Sequence, residues 1–322
     1  MKDRIIGGML GLACGDALGA PAEFKTLEEV RATWGVLTEM TGGGCWSAGE
    51  WTDDTALALA VAEGILDNPD DPVASVGARF LAWYHGHPKD IGGTIESALS
   101  SFVGDWAAAS RSTPSARSCR AAANGSLMRT LPVALAYSDP SDMLRASARI
   151  SAMTHWDSQA EVCCAVYCLW VQGLLYGVDR LAAWEAALGA ALNLAAQGRM
   201  LDDTPGPAGL PNGFWDRLAS IPVQRRDQLQ PTGYAAYVVD CLEAAVWCCL
   251  NAASLEEAIV SAVNLAGEAD TIAAVAGGAA GVIWGRGAVP GRWLAKLHQR
   301  DRLTTTGEQL AELRAERAIR PL

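Results

Sequence analysis

Apolar positions along this chain recur at helical rather than alternating spacing over stretches of a dozen or more residues, and β-branched residues are sparse. The pattern predicts an all-α protein. Helices are expected over 3–14, 53–67, 73–85, 92–103, 141–152, 157–176, 180–197, 235–251, 254–264, 270–284 and 306–318. No period of 20 to 50 residues repeats, which disfavours a solenoid. The longest apolar runs, Val162 to Val178 and Ile272 to Trp284, are shorter than the ~20 residues a bilayer span needs, so no membrane association is expected. Ile5 to Cys14, behind Lys2 and Arg4, has the look of a leader's apolar region. Asp3, Asp16 and a Gly11 where a lipoprotein site usually carries Leu argue for a helix of the fold instead.

Between Gly198 and Gly233 stand Pro205, Pro207, Pro211, Pro222 and Pro231, a break that could divide the 322 residues into two domains. Composition adds two exclusions. Half of the residues are apolar and 19% are charged, which rules out a disordered chain. The 25 basic against 36 acidic residues leave a net charge of −11, with no basic stripe of the kind nucleic-acid binding requires. The nine cysteines are odd in number, and Cys163, Cys164, Cys168, Cys241, Cys248 and Cys249 lie in apolar runs. They read as buried thiols of a cytoplasmic protein.

Two short segments carry the candidate chemistry. Trp51-Thr52-Asp53-Asp54-Thr55 opens one apolar helical run and Gly267-Glu268-Ala269-Asp270-Thr271 opens another. Either alone is an ordinary helix start, since Thr, Asp and Glu satisfy orphan N–H groups and oppose the macrodipole. Together, carboxylates with adjacent hydroxyls form the hard oxygen set that Mg2+ or Mn2+ requires. Successive helical side chains diverge by about 100°, so Asp53 and Asp54 would bracket ions lying just off a helix end. Residues more than 200 positions apart must then converge, which predicts one domain over 1–322 with a Pro/Gly-rich loop at 198–233.

These turns, with Gly7 through Gly19, Glu23-Phe24, Asp90-Ile91-Gly92-Gly93-Thr94, Asn124-Gly125-Ser126-Leu127-Met128-Arg129, Thr154-His155, Tyr237 to Asp240 and Asn264 through Gly281, resemble the ADP-ribosylglycohydrolase family. Within it the chain is most similar to the bacterial dinitrogenase reductase-activating glycohydrolase type. The resemblance spans nearly the whole chain. It implies a compact helical domain with two divalent cations, Mg2+ or Mn2+, in a cleft, and cleavage of ADP-ribose from a modified protein side chain. It assigns Thr52, Asp53, Asp54, Asp270 and Thr271 to the metals, with Glu268 where the family usually carries Asp.

The same resemblance assigns Asn124, Gly125 and Ser126 to the diphosphate and distal ribose, His155 to substrate contact and Tyr237 to adenine. An isolated Asn-Gly-Ser is otherwise only a turn, and Tyr237 otherwise a packing residue. Glu23, Asp53 and Asp90 are the candidates for the acid that protonates a departing guanidine. His85 and His87 lack a third ligand and are taken as loop residues. The implied activity is hydrolysis of ADP-ribosylarginine by a monomer, releasing ADP-ribose. Cleavage of another linkage, serine-linked or in a small molecule, and silent ADP-ribose binding are the alternatives.

Overall fold

The computed structural model describes residues 1–113, 122–197, 210–229 and 236–319. Among them every regular element is helical: α1 Lys2–Gly19, α2 Leu27–Trp34, α3 Asp53–Asp67, α4 Val73–His85, α5 Gly93–Ser100, α6 Trp106–Ser112, α7 Leu131–Ala136 and α8 Pro140–Ala152. They continue as α9 Ser158–Leu175, α10 Arg180–Ala196, α11 Phe214–Ser220, α12 Val238–Asn251, α13 Leu255–Val263, α14 Ala269–Trp284, α15 Gly291–Leu294 and α16 Arg300–Ile319. The starts are chemically marked. Thr26 and Glu29 form a capping box on α2, and Asp139, Asp157, Asp179 and Ser254 accept first-turn N–H groups on α8, α9, α10 and α13.

The centre of the molecule is an antiparallel pair, α1 and α14, whose backbones touch. A Cβ built on Gly7, Gly11, Gly15 or Gly19 would stand 2.3 Å from the Gly281 carbonyl oxygen, 2.2 Å from that of Gly277, 1.9 Å from that of Ala273 and 2.4 Å from Asp270 Cα. The four-residue spacing lays these glycines along one stripe of α1, and only hydrogen fits there. The C-terminal end of the stripe brings Gly19 onto Asp270 and so sets the second acidic turn beside the end of α1. Helices α3 and α16 pack on α1, and α13, α12 and α9 pack on α14.

Both spine helices are apolar all round, with Ile5 to Gly19 and Ala269 to Val282 wholly buried. By length and composition Lys2–Ala22 could cross a bilayer, unlike the two runs singled out in the sequence, yet its apolar window lies entirely inside the fold. The leader-like Ile5 to Cys14 is therefore part of this core helix.

The expected helices at 53–67 and 73–85 are found with those bounds, and α1 and α16 run further than expected. Five short helices, α2, α6, α7, α11 and α15, lie outside the helices expected from the pattern. One of them, α11, interrupts the proline-rich break, of which 198–209 and 230–235 lie outside the described residues. Cys14, Cys163, Cys164, Cys168, Cys241, Cys248 and Cys249 are buried and unbridged, while Cys45 is exposed.

Candidate active site

The first acidic turn is shaped by a residue that the motif reading passed over. Asp16, near the end of α1 and fully buried, accepts from the Thr52 and Thr55 backbone N–H groups, each at 2.9 Å, and from the Thr55 hydroxyl at 2.5 Å. It thereby fixes the N-terminus of α3 onto the spine. The available signal was a lone Asp inside an apolar helix, which burial permits only with partners.

The two acidic turns meet at Asp54. Its Oδ2 accepts from the Thr52 hydroxyl at 3.1 Å and from the Thr271 hydroxyl at 3.3 Å, across 217 positions of sequence. Its Oδ1 is buried without a partner. Asp270 turns back to accept its neighbour Thr271 N–H at 2.8 Å. Glu268 points elsewhere, its Oε2 accepting from Asn124 Nδ2 at 3.3 Å on the cleft wall.

Loop 22–25 is clamped over the second turn by a reciprocal backbone pair, Phe24 N to Gly267 O at 2.7 Å and Gly267 N to Lys25 O at 2.9 Å. That pair carries Glu23 into the site. A second pair, Asn124 N to Ala236 O at 2.7 Å and Val238 N to Ala122 O at 2.8 Å, fixes the opposite wall.

Between these walls lies a cleft of about 310 Å3 lined by Glu23, Asp53, Asp90, Gly92, Gly93, Asn124, Gly125, His155, Glu268 and Thr271, with Phe24, Ile95, Met128 and Ala236 as its main apolar contributors. Ser126 and Tyr237, expected on the substrate, are absent from this lining. The 3-10 turn Asn124–Ser126 directs Ser126 into the core, where it accepts from the Cys164 thiol at 3.5 Å. Tyr237 donates to Gln159 Oε1 at 2.5 Å, and the Arg217 guanidinium lies 5.8 Å from its ring centre.

His155 is set by the residues behind it. Arg129, fully buried, donates to Thr154 Oγ1 at 2.6 Å, and that hydroxyl lies 2.7 Å from His155 Nδ1. Thr154 Oγ1 and Nδ1 share this hydrogen bond, which leaves Nε2 as the ring nitrogen available to the cleft. Nε2 is buried without a protein partner on the cleft wall. Burial, with Arg129 nearby, pushes the His155 pKa down to about 3, so the ring stays neutral. Arg129 itself is structural, stacked 4.6 Å from the Phe80 ring centre.

Electrostatically the site is a set of carboxylates held together against their charge. Burial, then Asp90, Asp53, Glu268 and Asp16, push Glu23 up to about 8. Burial and then Asp90 and Asp16 push Asp53 to about 7, and burial raises Asp16 to about 6 despite its three hydrogen bonds. Asp54 and Asp270 are raised well above the carboxylate range by burial and by their acidic neighbours.

Such a cluster calls for cations. The donor chemistry fits a hard divalent ion: oxygen only, with the orphaned Asp54 Oδ1 in its midst. Among the described residues no three Asp, Glu, His or Cys side chains close on a common ligand point, so the Thr52 and Thr271 hydroxyls would have to take part.

Backbone strain gathers around the same place. Five described non-glycine residues have left-handed φ, and four of them line this cleft or the cavity beside it: Phe24, Ala236, His87 and Gln299.

A helical fold built on a glycine spine, with acidic turns from α3 and α14 beneath a cleft, defines a class. Residues 1–319 match the profile of the ADP-ribosylglycohydrolase family, and the chain belongs to that family and is a glycohydrolase. It is 32% identical over 311 residues to the ADP-ribosylarginine hydrolase Tri1 of Pseudomonas putida strain GB-1, covering 92% of this chain and 74% of that one. It is 30% identical over 307 residues to the ADP-ribosyl-[dinitrogen reductase] glycohydrolase of Rhodospirillum rubrum, covering 92% and 91%. A solved structure described as an ADP-ribosylglycohydrolase-related protein complex superimposes with a TM-score of 0.77 at 31% identity, over 97% of this chain and 98% of the other.

Proposed function

We propose that this enzyme hydrolyses the N-glycosidic bond of ADP-ribosylarginine in a modified protein and releases ADP-ribose, using two divalent cations, Mg2+ or Mn2+. The observation that carries the reading is the meeting of the two acidic turns at Asp54 beneath a cleft walled by Asn124, Gly125 and His155. Relatives named for hydrolysis at arginine and at dinitrogen reductase support the linkage.

Thr52, Asp53, Asp54, Asp270 and Thr271 are the residues that would hold the cations. When bound, these polarise water, neutralise the carboxylates and bind ribose hydroxyls. Glu268 lies off this set and holds Asn124 in place.

In the cleft, neutral His155 presents Nε2 to the substrate, and Asn124 and Gly125 form the surface against which the diphosphate lies. Glu23 is the proton source: its burial favours the neutral acid, and Asp90 and Glu268, which lie off the cation set, act in the same direction. Glu23 gives its proton to the departing guanidine nitrogen as the C1–N bond breaks, while water adds its oxygen to C1 and its released proton returns to the Glu23 carboxylate, restoring the acid. Asp53, as a cation ligand, stays ionised. The sum is one water consumed, with ADP-ribose and unmodified arginine formed.

The test is release of ADP-ribose from arginine-linked and serine-linked peptides in Mg2+, Mn2+ or EDTA. Arginine-linked release that EDTA and Asp54→Asn both abolish is expected. Full activity of Asp54→Asn in EDTA removes the metal reading, and turnover of serine-linked peptides alone removes the linkage.

A further inference from the structure

A second cavity, of about 290 Å3, opens on the far side of Asp53 and Asp90, the two residues it shares with the cleft. Its wall carries the indoles of Trp46, Trp51 and Trp83 and the carboxylate of Glu50. It is firmly built. Gly43 and Trp46 exchange backbone hydrogen bonds at 3.0 Å, Trp51 Nε1 donates to His298 O at 2.9 Å, and His298 N donates to Gly49 O at 2.9 Å. Gly49, at φ +84°, lies so close to the Lys296 carbonyl that a Cβ would stand 2.1 Å from it.

A cation already rests on this wall. Lys89 Nζ lies 5.3 Å from the Trp46 ring centre, donates to Glu50 Oε1 at 2.5 Å and to Cys45 O at 3.2 Å, and its side chain is half exposed. An aromatic face beside a carboxylate attracts ammonium and guanidinium alike, and the planar guanidinium stacks better on indole. With ADP-ribose in the cleft, and Asp53 and Asp90 common to both spaces, a side chain bonded to C1 can extend past these two carboxylates into the cavity.

The geometry points to the tryptophan cavity as the subsite for the guanidinium-bearing side chain of the substrate, with Lys89 the internal cation which that side chain displaces from Trp46 and Glu50. This rests on the arginine-linked reading above.

The experiment measures binding of N-acetylarginine amide to the full-length protein saturated with ADP-ribose, with N-acetylcitrulline amide as the uncharged control. KM for an arginine-linked peptide and affinity for ADP-ribose alone are measured alongside. In wild type the arginine amide binds and the citrulline amide does not. Trp46→Ala and Glu50→Gln weaken arginine-amide binding and raise KM by about three- to tenfold, in line with an exposed cation–π contact. Lys89→Met strengthens both by a similar factor. ADP-ribose affinity stays unchanged in all three.

The proposal is overturned if the two amides bind alike, if Trp46→Ala and Glu50→Gln leave arginine-amide binding unaltered, or if Lys89→Met weakens it. Binding of the arginine amide without any cleavage of the arginine-linked peptide would instead refute the activity and leave the subsite standing.

Discussion

The contact between α1 and α14 permits a sharp test, because the same substitution has opposite signs at two glycines. In Gly15→Ala the new methyl would stand 1.9 Å from the Ala273 carbonyl oxygen and 2.4 Å from its carbon, both backbone atoms with no side chain to move aside. Ordinary contact begins near 3.4 Å, so the helices must part by about 1.5 Å along a stripe pinned at Gly7, Gly11 and Gly19. Overpacking of this kind costs about 1–3 kcal/mol or more, against roughly 0.5–1 kcal/mol of helix propensity returned by Ala. At Gly189, in α10 and exposed, a Cβ meets nothing within 4 Å, and only the propensity gain remains.

Thermal unfolding followed by circular dichroism should therefore show Gly15→Ala several degrees below wild type and Gly189→Ala about 1–2 °C above it, at roughly 2 °C per kcal/mol for a chain of this size. Gly15→Ala should also lose activity below its melting temperature, since Asp16 and Asp270 sit on the two helices being parted. A Gly15→Ala protein as stable as wild type within about 0.5 kcal/mol would refute the backbone-contact argument.

Asp16→Asn replaces an acceptor of three hydrogen bonds by one that presents N–H to a donor, which shifts the first acidic turn; a loss of about 10²-fold in kcat with retained far-ultraviolet circular dichroism is expected. The carboxylates of Asp16, Asp53 and Glu23 have raised native pKa values of about 6, 7 and 8, so their contribution is present in full below the unfolded values and is lost as pH rises through the native ones. The melting temperature of EDTA-treated protein should accordingly fall between about pH 4 and 8, and added Mn2+ should raise it more at pH 8 than at pH 6. Arg314→Met removes the buried donor to the Ala134 and Tyr137 carbonyls at the end of α7, and urea unfolding should register a loss of about 2–3 kcal/mol.

Much of the fold was legible because its longer helices announce themselves. Thr52 before α3 and Pro72 before α4 stand where apolar periodicity begins, and both helices are found with the expected bounds. The short α2, α6 and α7 bury too few turns to impose a period, even though α2 and α6 carry local caps at Thr26 and Asp105. The spine was hidden for the opposite reason. Buried on every side, α1 and α14 have no polar face to contrast with, so the glycines at 7, 11, 15 and 19 are visible in the sequence while their partner is not.

The site divides the same way. The acidic turns are contiguous motifs and could be read directly, whereas Asp16 acts through hydrogen bonds to Thr52 and Thr55 that only the packing of α1 on α3 creates. Tyr237 and Ser126 stand at the expected places in the chain, and their hydrogen bonds to Gln159 and Cys164 come from packing that the motifs do not encode.

The seven buried thiols have a consequence for how this molecule ages. Burial pushes the thiols of Cys163, Cys164, Cys168, Cys241, Cys248 and Cys249, like that of Cys14, above the ordinary thiol range, so neither oxidant nor alkylating reagent finds a thiolate in the intact core. Their modification has to wait for the helices to separate, and its rate then counts core openings directly. Cys45, exposed beside Trp46, reacts without that delay. Among the described cysteines, oxidation in the folded protein is thus directed to the rim of the tryptophan cavity.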